Sequence, residues 1–101
     1  MRDVRQPFVL PGDPAGTATG STLPETVAHI QALAVQIAGT FTATIKIKGR
    51  LHSSLPMVEI ASVSAPGITA ISAPVSDIEL EVSAYTDGTI SAWFAGFNAQ
   101  L

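Results

Sequence analysis

The sequence contains no cysteine and only a small share of charged and aromatic residues. Without cysteine there is no disulfide framework and no thiolate metal site. The sequence therefore does not indicate whether the protein works in an oxidising or a reducing compartment. Charged residues make up 13% of the 101 residues, whereas an ordinary soluble domain carries about 25%. So little charge indicates that other subunits cover part of the surface; the alternative is a surface made polar by serine and threonine.

Positive charge is scarce and dispersed. Five basic residues stand against eight acidic ones, which gives a net charge of −3. Arg2 and Arg5 lie near the start and Lys46 and Lys48 near the middle, so they form no basic stripe. Proteins that bind nucleic acid use such a stripe to neutralise phosphates. We therefore expect no nucleic-acid partner.

Long apolar runs are also missing. The longest weakly polar stretch, residues 27–37, is interrupted by His29, Gln31 and Gln36, whereas a membrane span needs roughly 20 apolar residues. The first residues lack the apolar core of a secretory signal. We expect neither membrane insertion nor export through a signal peptide.

Groups for catalysis or metal binding are few. His29 and His52 are the available bases, and neither lies in a Gly-x-Ser-x-Gly context. Residues 49–54 read as a loop, in which the serines beside His52 are typical turn residues. Glu79 and Glu81 share one strand face, and two carboxylates on an open sheet favour a surface in contact with water over a cation site. Asp87 is typical of a turn. We expect no enzyme, no cofactor and no metal.

Residues 1–25 differ from the rest of the chain. They hold four prolines and three glycines, which suit neither a central strand nor a helix. The apolar residues Phe8 and Leu10 interrupt this segment. We predict an extended N-terminal arm anchored on a partner through Phe8 and Leu10, followed by a domain over residues 26–101. The alternative is an edge strand folded on its own domain.

Two segments, 40–49 and 78–85, alternate strictly between apolar and polar residues, which predicts strands with one buried face. Asp87-Gly88 follows the second segment and suits the positive φ angles of a type I′ turn, so we predict a hairpin to a return strand over residues 90–97. The residues predicted to face inward in the two segments are Phe41, Ala43, Ile45, Ile47, Ile78, Leu80, Val82 and Ala84.

Further strands are predicted at residues 29–37, 57–63 and 68–72, the last after a Pro66-Gly67 turn. In the first of them Leu33, Val35 and Ile37 share a face, and Gly39 predicts a tight turn; a helix is the alternative. With the Phe8–Leu10 patch, this gives about seven short strands. The prediction is an all-β fold, a single antiparallel β-sandwich of jelly-roll or immunoglobulin-like strand order.

The aromatic residues cluster near the end of the sequence. If Phe94 joins the core, alternation turns Trp93 and Phe97 outward. An exposed tryptophan on a sheet is a candidate contact for a subunit or a sugar ring. The alternative packs Trp93 under the arm. Trp93 and Phe97 therefore join Phe8 and Leu10 as candidate contacts with a capsid or another subunit.

The stretch from residue 27 to the C-terminus resembles a small β-sandwich module of tailed-bacteriophage structural proteins. The segments that carry the resemblance are 36–41 (Gln-Ile-Ala-Gly-Thr-Phe), 65–68 (Ala-Pro-Gly-Ile), 74–78 (Pro-Val-Ser-Asp-Ile) and the Tyr-Thr-Asp-Gly-Thr region of 82–92. Residues 49–54 depart from it, because similar modules often have an Asp-Gly turn followed by tryptophan there. No functional residue is carried over.

The resemblance implies a virion structural protein. The first expectation is a capsid decoration or cement protein that binds and stabilises the assembled head lattice. Its partner would be the major capsid protein or another virion protein. By analogy it would be a homotrimer on the capsid surface, assembled in the host cytoplasm. The alternatives are a tail, fibre or head-spike-base module for adhesion or attachment, and a carbohydrate-binding β-sandwich.

Overall fold

The computed structural model describes residues 2–8, 10, 20–22, 24–27 and 30–98, which form strands and loops and no helix. The predicted all-β antiparallel fold is therefore confirmed. The strands are β1 (Arg2–Pro7), β2 (Gly20–Ser21), β3 (Glu25–Thr26), β4 (Ile30–Arg50), β5 (Val58–Val63), β6 (Gly67–Ala70) and β7 (Asp77–Asn98).

Two long strands, β4 and β7, form the centre of the sheet. They pair antiparallel from Ile30 opposite Asn98 to Arg50 opposite Asp77. On the far side of β7 lie β1, β2 and β3, and on the far side of β4 lie β5 and β6. All seven strands thus belong to one hydrogen-bonded sheet. The number seven agrees with the sequence prediction, although the individual strands differ.

The long strands bend, so that the sheet folds over into two layers. A straight strand of 22 residues would span about 70 Å, but the longest dimension of the chain is 43 Å. Ile30 and Leu33, near the start of β4, line the same cleft as Leu51, just after its end. The first layer contains β1, β6 and the paired halves 30–42 of β4 and 87–98 of β7; the second contains β2, β3, β5 and the other halves. The arrangement is sandwich-like.

The bend is built by glycines and a bulge. Gly39 of β4 and Gly88 of β7 have φ angles of 108° and 95°. Beside them, Thr42 pairs with Asp87 and Thr44 with Ser83, so residues 84–86 bulge opposite Ala43 alone. Ala84 in this bulge also has a positive φ of 51°. Bulges kink a strand and increase its twist, which lets both long strands change layer.

The predicted hairpin at Asp87-Gly88 and the predicted tight turn at Gly39 are therefore wrong. Gly88 lies opposite Phe41 and Gly39 opposite Ile90, each inside a continuous strand. Both glycines do adopt the left-handed backbone that a turn needs, but here it bends a strand. Long pairing of β4 with β7 prevails over a local hairpin because it buries one face of both strands in a shared core. Ala84, predicted to face inward, is exposed at the bulge.

Most of the predicted inward alternation is confirmed. The same face of each long strand turns inward in both layers, so one core serves the whole sheet. Phe41, at the bend, is only partly buried. The helix alternative for residues 29–37 does not hold over the described part of that segment. The buried hydrophobic residues of the two strands are Leu33, Val35, Ile37, Ala43, Ile45, Ile47, Ile78, Leu80, Val82, Ile90, Ala92 and Phe94.

The N-terminal segment belongs to this core. Strand β1 pairs with β7 along its whole length, and the amide of Phe8 donates to the carbonyl of Ala92 at 2.9 Å. Phe8 is 6% exposed and Leu10 is 3% exposed, and the Phe8 ring packs on Phe94 with 5.2 Å between centroids. Over its described residues the separate arm is thus corrected to the alternative, an edge strand of the same fold; residues 11–19 of the predicted arm lie outside the described residues. Phe8 and Leu10 hold the N-terminal segment on the core, because their burial removes apolar area from water.

Candidate functional site

The outer surface of the first layer is a sheet face with little charge. Across its four strands, Pro7, Trp93, Gln36 and Ile68 lie side by side. The next row holds Arg5 and three alanines, and Phe97 lies two residues further along β7. We call this surface the layer-one face: Arg5, Pro7, Ala34, Gln36, Ile68, Ala70, Trp93, Ala95 and Phe97.

The large apolar side chains of the layer-one face are open to solvent. Ile68 is 71% exposed, Trp93 49% and Phe97 41%. The buried Phe94 beside them turns Trp93 outward, as the alternation along β7 requires. Trp93 and Phe97 are therefore placed where a partner can reach them, and their role as contacts stays a prediction. Phe8 and Leu10 are buried, which corrects their prediction as partner contacts.

The outer surface of the second layer has the opposite character. Lys46 lies opposite Glu81, and Lys48 lies between Glu79 and Glu59 on the neighbouring strands. The Lys48 ammonium bonds the Glu81 carboxylate. This hydrogen bond raises the pKa of Lys48 and lowers the pKa of Glu81. Charges that pair in this way are compatible with contact with water. The two layers thus present one apolar and one charged surface.

A second apolar surface lies at one end of the second layer. The loop after β4, the start of β5 and the segment before β7 enclose a cleft of about 370 Å³. Leu51, Leu55 and Val58 line it and are 60%, 46% and 59% exposed, while Ile60 and Val75 form its floor. We call it the end cleft. All six of the exposed large hydrophobic side chains in the described part of the chain lie on this surface or on the layer-one face.

A polar network holds the wall of the end cleft. Arg50 Nε donates to Asp77 Oδ2 at 2.8 Å, and Ser76 Oγ donates to the same oxygen at 3.1 Å. The Ser76 amide donates to the Arg50 carbonyl at 2.7 Å, and Arg50 Nη1 reaches the Leu55 carbonyl at 3.5 Å. The hydrogen bond from Arg50 lowers the pKa of the buried Asp77, against the opposing effect of desolvation.

Glycine permits the close packing under the end cleft. A Cβ atom on Gly49 would lie 2.7 Å from Ile60 Cδ1 and 2.9 Å from Val75 Cγ1. The floor of the cleft therefore rests directly on the backbone of β4. The sequence did not indicate this surface, because residues 49–54 read as a loop. Leu51 in that loop and Leu55 directly after it were the available signal, since exposed apolar side chains that lie together mark interaction sites.

His52 closes the loop beside the end cleft. Its Nδ1 lies 2.8 Å from Ser54 Oγ and accepts a hydrogen bond from the Ser54 amide at 3.1 Å. Both residues are exposed, and bonds between a side chain and the backbone two residues away are typical of turns. This agrees with the predicted loop, and we assign the pair a structural role. His29 lies outside the described residues.

The carboxylates singled out in the sequence do not converge. Glu81 bonds Lys48, and Asp87 is exposed in β7 opposite Thr42 instead of in a turn. In the parts of the chain that the structure covers, no three His, Cys, Asp or Glu residues come together in a way that could hold a metal ion. Those same parts include no helix that could span a membrane.

The fold places the chain among all-β proteins with a sandwich-like antiparallel sheet. Its structure is similar to the crystal structure of YomS, a protein derived from the SPBc2 prophage. The TM-score is 0.65, the match covers 95% of each chain, and the sequences are 16% identical. At this identity the likeness shows a shared fold. No known family model and no curated protein sequence match the chain.

Proposed function

We propose that the chain is a bacteriophage structural protein, and in particular a capsid decoration or cement protein that binds the assembled head lattice. The observation that carries the proposal is the concentration of exposed apolar side chains on the layer-one face and the end cleft. Exposed apolar patches of this kind mark surfaces that bind other proteins or ligands. The likeness to a prophage-derived protein supports the phage context.

The proposed mechanism is stabilisation of the assembled lattice by mass action. A protein that binds the assembled lattice and not its separated subunits stabilises the lattice by about 2.7 kcal/mol at a free concentration of 100 times Kd. The proposed partner is the major capsid protein or another virion protein, and the proposed location is the capsid surface, reached in the host cytoplasm. The role is binding and not catalysis, in line with the structural part assigned to His52 and Ser54.

The test uses particles of the phage that encodes the chain. Purified protein is added to empty heads, and we expect co-sedimentation with the heads and a higher melting temperature of the lattice. Trp93→Ser, at an exposed position, should lose binding and keep its fold. Ser62→Ala on the charged second layer is the matched control and should bind normally. Absence of the protein from particles, with no binding to heads, would contradict the proposal.

The second candidate is a tail, fibre or spike-base module that mediates adhesion or attachment. A carbohydrate-binding β-sandwich is the third. Trp93 lines a hollow of about 400 Å³ together with Gln36 and Arg5. An indole ring beside amide and guanidinium donors is an arrangement that stacks on sugar rings. Quenching of Trp93 fluorescence by glycans or host-surface polysaccharide, without binding to heads, would favour this candidate over decoration.

A further inference from the structure

Among the described strands, β5 is the longest edge strand that carries neither proline nor a positive charge. Sheet edges are normally protected by short strands, lysine or proline, because free backbone groups invite another strand. Strand β1 carries two arginines and Pro7, β6 has 4 residues, and β2 and β3 have 2 residues each. Strand β5 has 6 residues, Val-Glu-Ile-Ala-Ser-Val, and lacks these features.

The backbone groups on the outer edge of β5 have no strand beside them. Strand β5 pairs with β4 on its other side, and within the described residues no further backbone hydrogen bond reaches Val58–Val63. In an antiparallel pair, alternate residues turn their N–H and C=O groups away from the partner strand. A protein satisfies such a row of groups with another extended strand. The edge therefore indicates the backbone conformation of its partner.

The end cleft begins beside the first residues of this edge. Val58 and Ile60 line the cleft, and a bulge in the pairing of β5 with β4 leaves Ile60 without an opposite residue. Val58 lies opposite Gly49, on the side of the sheet that faces Val75. The side chains of a strand alternate between the two sides of a sheet. In a strand added along β5, the inner side chain beside Val58 would enter the cleft.

The outer side of the same edge carries an unbonded negative charge. Glu59 is exposed and lies opposite Lys48, but the Lys48 ammonium bonds Glu81 on the next strand. No described residue makes a hydrogen bond or a salt bridge to the Glu59 carboxylate. Opposite charges on neighbouring strands stabilise their pairing. Since Val58 and Glu59 are adjacent, the edge favours a partner in which a basic residue adjoins an apolar one.

We propose that β5 binds an extended segment of another protein as an added antiparallel strand, with an apolar side chain in the end cleft and the adjacent lysine or arginine beside Glu59. In complexes of this kind, main-chain hydrogen bonds provide affinity and side-chain pockets provide specificity. The inference deepens the proposed function and rests on it for the identity of the partner, which is a virion protein whose segment attaches this chain to the lattice.

The probe is a synthetic peptide with blocked ends, Val-Thr-Val-Lys-Leu-Thr, in which lysine and leucine are placed for antiparallel pairing with Glu59 and Val58. Titration into the full chain should give saturable NMR shifts of the amides of residues 58–63. Replacing the peptide leucine with serine should weaken binding by at least about tenfold, and Leu55→Ser in the cleft should also weaken it. Ser62→Ala, which keeps the backbone of β5, is the control. Undiminished binding of the serine peptide would overturn the proposal.

Methylation of peptide nitrogens tests whether the strand edge is the contact. The amides of a strand point alternately to its two edges. One peptide is methylated on the leucine and the central valine, and a second on the lysine and the last threonine. One of the two should lose binding by at least about tenfold, because its donors face β5, and the other should retain it. Equal affinities of the two peptides would overturn the strand pairing.

Charge reversal tests the position of the basic residue. Glu59→Lys should weaken binding of the lysine peptide by about threefold to fivefold and strengthen binding of a peptide with glutamate in its place. Glu25→Lys makes the same change of charge on β3, at the opposite edge, and should leave both affinities near the wild-type values. Melting curves confirm folding, and Glu59→Gln replaces an unstable Glu59→Lys. An unchanged preference between the two peptides would overturn the proposal.

Two measurements separate this inference from its alternatives. Without peptide, the outward amides of β5 should exchange rapidly at every protein concentration; protection that grows with concentration would assign the edge to a second copy and overturn the proposal. With empty heads, excess peptide should displace the protein. Head binding that saturating peptide leaves unchanged would overturn the strand site and leave the decoration role standing, whereas peptide binding without head binding would support the strand site and contradict decoration.

Discussion

Gly88 of β7 lies directly opposite Phe41 of β4, so close that a Cβ atom on Gly88 would lie 2.4 Å from the Phe41 Cα. The same Cβ would lie 2.1 Å from the carbonyl oxygen of Thr40. No ordinary side chain fits between these two backbones. The bend that folds the sheet into two layers therefore depends on the absence of a side chain at this position.

Gly88→Ala is expected to destabilise the protein by about 3 kcal/mol or prevent folding, because it adds a backbone clash to a left-handed φ of 95°. Urea unfolding measures the change. Gly67→Ala is the control, since a Cβ there would meet nothing within 4 Å, and its effect should stay within about 0.5 kcal/mol. Equal unfolding midpoints for the two variants would show that the bend tolerates a side chain.

Asp77 should make stability depend on pH in the acid range. The hydrogen bond from Arg50 lowers its pKa in the folded protein, so the unfolded chain binds the proton more tightly. The resulting stabilisation is present above the unfolded pKa of about 3.9 and is lost as the pH falls through the folded value. Melting temperatures between neutral and acid pH measure the loss.

The variant Asp77→Asn separates this pair from the other carboxylates. It should cost about 2 kcal/mol at neutral pH, because Arg50 loses a charged acceptor, and the acid-dependent loss should become smaller. Glu81→Gln on the solvated second layer should change stability little. An unchanged acid profile in Asp77→Asn would assign the acid sensitivity to other groups.

Phe8→Ala is expected to destabilise the fold by about 3–5 kcal/mol, because the ring is buried against Phe94. Phe97→Ala removes the same side chain from an exposed position of the layer-one face. It should change the unfolding free energy by less than about 1 kcal/mol. A small effect of Phe8→Ala would return the N-terminal segment to the status of a detachable arm.

Deletion of residues 1–25 tests the same segment without a side-chain change. It removes β1 and β2, which pair with β7, and takes Phe8 and Leu10 from the core. We expect loss of cooperative thermal unfolding and of near-ultraviolet circular dichroism. Retention of a sharp transition by the truncated chain would mean that the remaining strands fold alone.

The core could be predicted from the sequence because alternation is a local signal. Each inward residue from Leu33 to Ile47 follows the two-residue period, whichever strand it pairs with. The Asp87-Gly88 sequence predicts a positive φ at Gly88, which is confirmed, and a hairpin turn, which is wrong. A positive φ serves a hairpin and a bend equally, and the choice depends on the register of β4 with β7, which adjacent residues do not determine.

The candidate surfaces were predictable in part for the same reason. Alternation from the buried Phe94 gave the outward direction of Trp93. It could not show that the rows beside Trp93 hold alanines and Ile68, because these residues come from other strands. The end cleft gathers three separate segments of the chain, and only the tertiary fold brings them together. The proline and glycine content of residues 1–25 favoured an arm. Phe8 and Leu10 are buried because β1 pairs with the edge of β7 and brings them to the core.

The passage of β4 and β7 through both layers has a consequence for how the chain folds. Their pairs join distant parts of the sequence, such as Ile30 with Asn98, so little native structure forms from near neighbours. Folding should be slow for a chain of this size, since loop closure precedes most of the favourable contacts. Neither layer retains its central strands without the other, so amide protons of both layers should exchange through one shared opening event, with the same free energy in each.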